Sequence, residues 1–348
     1  MYSLDDAAKP NSERRWDAVH PVCQRLSGNR TNTARSRPSA SQTTKSQRLS
    51  PPHWNSQPTS RASADVHQVF IATAITIKAM RIPLFHVDAF TDQLFRGNPA
   101  AVCPLDAWLD DELLLKVAAE NNLSETAFFV LKSGRSGENF YELRWFTSRG
   151  EVKLCGHATL ASAFVLLELL QSGSHEFRFE TRFSGTLTVR KDGELFAMDF
   201  PAIFANPCTD VPDALISALG PSPRPSQVME VNDTYIAVYD NASTIRNMRP
   251  DFARLARLHP FVVSVTAPGN DADFVSRYFK PSYGMPEDPV TGSVHCALTP
   301  YWAERLGKTQ LHARQLSERG GELWCEMAGN RVILKGDAVL TVEGTLTI

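Results

Sequence analysis

From about residue 80 onward, apolar and polar positions follow two rhythms. Short alternating or β-branched runs bounded by Gly, Pro and Asn predict strands over residues 82–87, 100–103, 127–131, 141–146, 177–180, 185–189 and 195–200. A second series covers 227–231, 235–238, 261–266, 310–315, 323–327, 331–335 and 338–348. Helical spacing of Leu113, Leu114, Val117 and Ala118 predicts a helix over 110–120, opened by two aspartates and closed by Asn121 and Asn122 in a left-handed turn. Further helices are expected near 213–219, over 251–258 and through 297–305, and a hairpin turn at 134–137. The pattern describes a sheet-rich α+β protein.

One pattern occurs twice. Around Arg144 the chain reads R-W-F-T-S, then R-G-E-V-K-L, then C-G-H-A-T-L-A-S-A; around Arg277 it reads R-Y-F-K-P, then S-Y-G-M-P-E-D-P-V, then T-G-S-V-H-C-A-L-T. Aligning Gly156 with Gly292 brings Arg144, Trp145 and Phe146 near Arg277, Tyr278 and Phe279, with three extra residues in the later connection. Each copy is a strand, a glycine turn and a helix of small residues. The repetition predicts a duplicated α/β unit in which two helix N-termini face each other across a cleft.

Chemistry concentrates at these turns. In Glu287 to Cys296 (E-D-P-V-T-G-S-V-H-C), Pro289 lacks a backbone donor and Gly292 can take positive φ. A sharp turn there leaves helix N-terminal amides free for an anion such as a substrate carboxylate. Asp288 and Ser293 can serve that site or merely cap the helix. Glu125 sits at a helix-to-strand junction beside Leu123, Phe128 and Phe129, where partial desolvation suits a carboxyl group to proton transfer. His157 follows Gly156 as a functional residue or a polar cap. Cys155 is a small buried residue or a thiol activated by the helix N-terminus.

Length changes the picture by allowing two domains in 348 residues, with 43% hydrophobic content ample for their cores. The crossover is expected at Pro201, giving domains 80–200 and 201–348. Residues 1–79 carry eleven Lys and Arg against five Asp and Glu, with many Ser, Thr and Pro and no apolar periodicity. They read as a disordered, low-complexity extension. Asp5, Asp6, Glu13 and Asp17 argue against an organelle leader. The apolar run 69–77 is too short to span a bilayer, so no membrane association is expected. A net charge of −2 predicts no nucleic-acid partner.

Six cysteines (Cys23, Cys103, Cys155, Cys208, Cys296, Cys325) form no C-x-x-C pair and no zinc-ligand spacing, so reduced thiols, a cytoplasmic location and no bound metal are expected. No dinucleotide-binding fingerprint, phosphate-binding loop or nucleophile elbow occurs, which leaves nucleotide cofactors and serine-hydrolase chemistry unsupported.

Taken in order, G-N-P-A-A-V (Gly97 to Val102), N-L-S-E-T-A-F (Asn122 to Phe128), L-C-G-H-A-T-L-A (Leu154 to Ala161), E-D-P-V-T-G-S-V-H-C and R-Q-L-S-E-R-G-G (Arg314 to Gly321) resemble the phenazine-biosynthesis PhzF-like family. The resemblance runs from Met80 to the C-terminus. It implies a diaminopimelate-epimerase-like fold: two similar domains, each a sheet curled around a central helix, related by a pseudo-two-fold axis with the site between them. It also implies a cofactor-independent isomerase acting on a small carboxylate-bearing substrate, and a homodimer. By motif, Glu125 matches the family's acid/base, with His157 and Asp288 as catalytic partners and Asn98, Gly156, Gly292 and Ser293 as substrate-binding positions. Met285-Pro286, Val294 and Leu316 depart from the usual fillers, so substrate size is expected to differ. Two other readings stay open: a racemase or epimerase of amino or hydroxy acids using two thiols, disfavoured because Thr291 stands opposite Cys155, and a non-catalytic binding protein.

Overall fold

The computed structural model describes residues 79–132, 139–171, 173–220 and 223–348. The expected disordered extension, with Cys23 and the apolar run 69–77, and the hairpin turn at 134–137 lie outside the described residues.

From Met80 to Ile348 the chain forms one compact unit. Its first half contains β1 (Arg81–Ala89), β2 (Asn98–Leu105), α1 (Asp111–Asn121), β3 (Glu125–Leu131), β4 (Phe140–Thr147), β5 (Gly150–Val152) and α2 (Gly156–Phe164). A π-helical turn (Val165–Leu170), β6 (Glu176–Thr181), β7 (Gly185–Asp192) and β8 (Leu195–Pro201) complete it. The second half holds β9 (Asn206–Pro207), α3 (Asp213–Leu219), β10 (Gln227–Val231), β11 (Thr234–Val238), α4 (Ala242–Asn247) and α5 (Phe252–Leu255). It continues through β12 (Val262–Pro268), β13 (Phe274–Lys280), β14 (Met285–Asp288), α6 (Gly292–Leu306), β15 (Gln310–Gln315), β16 (Gly321–Ala328), β17 (Arg331–Gly336) and β18 (Ala338–Thr347).

The strand pairings recur. β2 pairs parallel with β3, β3 antiparallel with β4, β4 antiparallel with β5 and parallel with β6, and β6 to β8 meander. In the same order, β11 pairs parallel with β12, β12 antiparallel with β13, β13 antiparallel with β14 and parallel with β15, and β15 to β17 meander. The halves join through β8 against β17 and β1 against β18. Each series surrounds a helix of small residues. In α2, Ala158, Thr159, Ala161, Ser162 and Ala163 are buried and let β1, β2 and β3 approach closely; Gly292, Cys296, Ala297 and Thr299 do the same in α6 for β15, β16 and β17.

Two elements differ from expectation. The helix expected from 297 starts at Gly292, because burial of Gly292, Val294, His295 and Cys296 overrides their weak helix propensity. The segment expected to be one helix over 251–258 divides into α5 and a 3₁₀ turn, Ala256–Leu258. Pro260 disfavours α-helical geometry at the residue before it, so the coil tightens and stops. Pro300, inside α6, leaves the Cys296 carbonyl without its usual helical donor. That carbonyl accepts from Ile203 N at 3.0 Å, which pins the crossover after β8 to α6.

The cores are aromatic. Trp302, fully buried, stacks on Phe274 with centroids 5.7 Å apart and donates its indole N–H to Thr266 Oγ1 at 3.0 Å. His295 Nδ1–H donates to the Thr291 carbonyl at 2.7 Å, and burial pushes the imidazole down to about 4 from 6.5. Between those values the unfolded chain binds the proton and the folded chain does not, so stability falls as pH drops from about 6.5 toward 4, by about 1.4 kcal/mol per pH unit. Urea unfolding at pH 7 and pH 5 is expected to show this contribution in the native chain and to lack it in His295→Gln. Equal pH slopes in the two proteins would contradict it.

Candidate active site

Strand registers align the two halves residue by residue. Phe146 pairs with Thr126 and Glu151, and Phe279 pairs with Val263 and Glu287. Arg144 grips Glu151 with two 2.8 Å bonds and Arg277 grips Glu287 in the same way, each guanidinium lying 5.0 Å from the following phenylalanine ring. Through this register Glu125 corresponds to Val262, Asp288 to Val152, Lys280 to Thr147, Cys155 to Thr291 and His157 to Ser293. The framework repeats, whereas the candidate chemistry lies where the halves differ.

The N-termini of α2 and α6 meet at their glycines: a Cβ on Gly156 would stand 3.8 Å from Gly292 Cα. Neither N-cap residue, Cys155 or Thr291, makes a capping bond with its side chain, as the helix ends require of an anion site. Asp288 and Ser293 are therefore not the caps that a purely structural reading assigns. Ser293 is exposed on the first turn of α6, and Gly156 and Gly292 are the first residues of their helices.

Glu125 opens β3 because α1 ends at Asn122 in a left-handed conformation, φ 48° and ψ 34°, and the chain then enters the sheet. It is 7% exposed. Its Oε2 lies 3.3 Å from His157 Nε2 but has no hydrogen-bond partner. The approach lacks donor-to-acceptor geometry. Burial lowers the His157 pKa more than the Glu125 and Asp288 charges raise it, so the imidazole is neutral and this contact is not a salt bridge. Cys155 Sγ is 3.4 Å from His157 Nδ1. Burial, with Glu125 adding to it, holds the thiol well above its ordinary value. Of the two readings of Cys155, this favours the small buried residue over the activated thiol: desolvation outweighs the helix N-terminus.

Asp288 crosses from the other half. Its Oδ1 accepts from Asn98 Nδ2 at 3.1 Å and its Oδ2 from Thr291 Oγ1 at 2.6 Å. Asn98 is fully buried and also donates to the Val290 carbonyl at 2.8 Å, while Ser124 donates to its Oδ1 at 3.3 Å. Both hydrogens of its amide thus go to protein acceptors, one of them Asp288. Gln315, also fully buried, donates to the Asp288 carbonyl at 2.7 Å and accepts from Thr291 N at 2.9 Å. Ser317 donates to the Pro289 carbonyl at 2.7 Å. The R-Q-L-S run therefore holds the E-D-P-V-T turn.

Arg319 clamps the other motif, donating to the carbonyls of Gly97 at 2.9 Å and Arg96 at 2.8 Å and to Asp88 Oδ1 at 2.7 Å. Gly97 has no room for a side chain, since a Cβ would meet the Ala89 carbonyl at 2.2 Å, and its φ is +63°. Gly321 lies equally close to Val290, 2.4 Å from where a Cβ would stand.

Lys280 is a site residue that the motifs do not mark. Its Nζ stands 3.6 Å from Asp288 Oδ1, and its side chain is 21% exposed. Burial alone would lower its pKa, but the charges of Asp288 and then Glu125 more than offset that and raise it. The only sequence signal is a lysine ending the strand before the second glycine turn, where the first copy has Thr147. A surface cavity of about 300 Å³, lined by Trp108, Glu142, Arg144, Glu180, Thr181 and Arg182 among others, shares no residue with this set. Its arginines are already paired with Glu151 and Asp111.

A buried carboxyl group with a free oxygen beside a neutral imidazole, near an opposed carboxylate, can move a proton on a substrate held at two helix ends. The family model described as phenazine biosynthesis-like protein matches residues 87–344. The chain belongs to this family. Among its relatives, an uncharacterized isomerase of Pseudomonas aeruginosa is 54% identical over 267 residues, covering 77% of this chain and 99% of that protein. The human phenazine biosynthesis-like domain-containing protein is 39% identical over 295 residues, covering 77% and 100%. The crystal structure of a phenazine biosynthesis protein of the PhzF family from Enterococcus faecalis superposes with a TM-score of 0.72 at 41% identity, covering 77% and 100%. A predicted epimerase from Pseudomonas aeruginosa shares the fold alone, with a TM-score of 0.58 at 21% identity. The phenazine biosynthesis-like chain described here is accordingly an isomerase with the diaminopimelate-epimerase-like fold.

Proposed function

We propose that this isomerase moves a proton on a small carboxylic acid without a cofactor, with Glu125 as the acid/base. The observation that carries the reading is the Glu125 carboxylate oxygen, buried without a hydrogen-bond partner beside the two glycine helix ends. Buried polar atoms are normally paired, and an unpaired one at a cleft fits a group that receives a proton from substrate carbon. His157 would steer that proton, Asp288 would hold a polar substituent, and Ser293 with the first amides of α2 and α6 would bind the carboxylate. The site would lie between half-domains 80–200 and 201–348, related by a pseudo-two-fold axis, as the recurring strand pairings support.

The two-thiol reading finds no support among the described residues. Thr291 holds the position equivalent to Cys155, while the Cys296 thiol is buried, donates to the Gly292 carbonyl at 3.7 Å and is pushed up to about 12. A homodimeric assembly and a cytoplasmic location belong to the proposal on the family resemblance and the free cysteines. No helix among the described residues is long and apolar enough to cross a membrane.

The test is incubation of the full chain and of Glu125→Gln in D₂O with a panel of small amino and hydroxy carboxylic acids, followed by proton NMR. Deuterium entering substrate carbon with the native chain alone supports the proposal; equal exchange by both sinks it. Lys280 supplies a second prediction on any acid that exchanges. Its ammonium offsets one of two nearby carboxylates, an interaction of about 4 kcal/mol at roughly 4 Å and an effective dielectric near 20, before solvent screening. Allowing for that screening, Lys280→Met is expected to raise KM for a carboxylate by about tenfold and Lys280→Arg to restore part of it. An unchanged KM would remove Lys280 from the binding role.

A further inference from the structure

We propose that the Lys280 ammonium donates to a carbonyl oxygen of the substrate, which makes the substrate an oxo acid and Lys280 a catalytic residue. The inference rests on the proposed proton transfer by Glu125 and names the substrate class of that site.

Lys280 ends β13 with a mostly buried side chain, and among the described residues its ammonium donates no hydrogen bond. The carboxylate oxygen beside it, Asp288 Oδ1, stands at 3.6 Å and already accepts from Asn98 at 3.1 Å, while Oδ2 accepts from Thr291 at 2.6 Å. An ammonium carries three donors, and a mostly buried one with none spent calls for an acceptor. The other titratable groups around it supply no anion, because burial raises both the Cys155 thiol and the Tyr278 phenol. Its charge reaches Cys155 and His157 from the opposite half, so it faces the same cleft as Glu125. The charges of Asp288 and Glu125 together hold it protonated against burial, which makes it a donor and not an amine nucleophile.

Charge decides which acceptor fits. A second substrate carboxylate would bring another full negative charge to Asp288 and Glu125 against a single ammonium. A carbonyl oxygen brings none until Glu125 gives up its own. As Glu125 Oε2 takes the proton, the C–H bond breaks and an O–H bond forms on the carboxyl group; the C–H pair becomes a C=C bond and the carbonyl π pair moves onto oxygen. Negative charge thus passes from Glu125 to an enolate oxygen beside Lys280, where a fixed donor stabilises it more than it stabilised the neutral carbonyl. In the return step the Glu125 O–H bond breaks, a C–H bond forms and the carbonyl is restored.

The experiment measures binding by calorimetry to the full chain, to Lys280→Met and to Lys280→Arg, using pyruvate, acetoacetate and levulinate against propanoate, butanoate and pentanoate. At least one oxo acid is expected to bind about tenfold more tightly than its partner lacking the carbonyl, an advantage lost in Lys280→Met and kept in part in Lys280→Arg. Deuterium exchange into that oxo acid in D₂O should fall by about 10²–10³-fold in Lys280→Met. Borohydride added to the protein with each oxo acid should leave its mass unchanged, since no imine forms. Absence of any oxo-acid advantage, its survival in Lys280→Met, exchange that Lys280→Met leaves unchanged, or a borohydride-trapped adduct would each overturn the inference. Calorimetry reads Lys280 without turnover, so exchange that persists in Glu125→Gln sinks the proton-transfer reading separately from the carbonyl contact.

Discussion

Glu125→Gln is expected to lower proton exchange into substrate by about 10²–10⁴-fold, the range that a positioned general base contributes. Glutamine has nearly the same shape and fills the same buried space at the start of β3, so the sheet pairing of Ala100 with position 125 is retained. What changes is the capacity to accept a proton: an amide oxygen beside neutral His157 cannot hold one at neutral pH. Since the helix ends at Gly156 and Gly292 are untouched, substrate affinity is expected to hold while kcat falls. Glu125→Asp withdraws the carboxyl group by one methylene and should retain a minor part of the rate, because near-attack geometry is sensitive to displacements of about 1 Å. Single-turnover deuterium incorporation checks both variants. A loss expressed in KM alone would assign Glu125 to binding and withdraw the proton-transfer reading.

Arg277→Ala is expected to destabilise the fold by about 3–5 kcal/mol, as removal of one partner from a buried ion pair does. Arg277 is 8% exposed, holds Glu287 with two bonds, and donates to the carbonyls of Ile245 at 3.1 Å and Met248 at 2.9 Å at the end of α4. Its loss strands a carboxylate and two backbone acceptors at once. The equivalent Arg144→Ala is expected to cost less, about 1–3 kcal/mol. Glu151 keeps a second partner, Arg182, at 3.0 Å, and Asp111 on the far side is exposed. Urea unfolding of both variants at pH 7 checks the pair. Equal costs would show that the two halves bury their arginines to the same effect, contrary to their different surroundings.

The comparison of these two arginines shows how much was legible beforehand. The repeat of R-W-F and R-Y-F before two glycine turns located equivalent strands, and the three extra residues of the later connection reappear as the longer span from Arg277 to Glu287. Alternation of apolar residues located most strands to within a residue or two, because each buries apolar side chains in a core, against α2 or α6 or, for Tyr235, Ala237, Val263 and Val265, against α3 to α5. Asn122 ended α1 in the left-handed turn that its short polar side chain favours. Less legible were α4, the π-helical turn, and the short β5 and β14, whose few residues leave no periodicity to read.

Site residues divide in the same way. Glu125, His157 and Asp288 stand out within distinctive runs, whereas Ser124 and Gln315 lie in such runs without any feature that singles them out, and Lys280 lies outside them. The commitment of the Asn98 amide to Asp288, 190 positions away, and the raised pKa of Cys155 depend on who the neighbours are.

The sequence by itself determined the alternation, the two glycine turns, the placement of caps and breakers, and the resemblance that names the family. These are local properties, fixed by backbone sterics and by which residues repel water. Tertiary structure alone decided that Glu125 would stand 3.3 Å from His157, that desolvation would outweigh the helix end at Cys155, and that Lys280 would face Asp288. Distances and burial between remote residues are set by how whole sheets close around their helices, and charge energetics follow those distances.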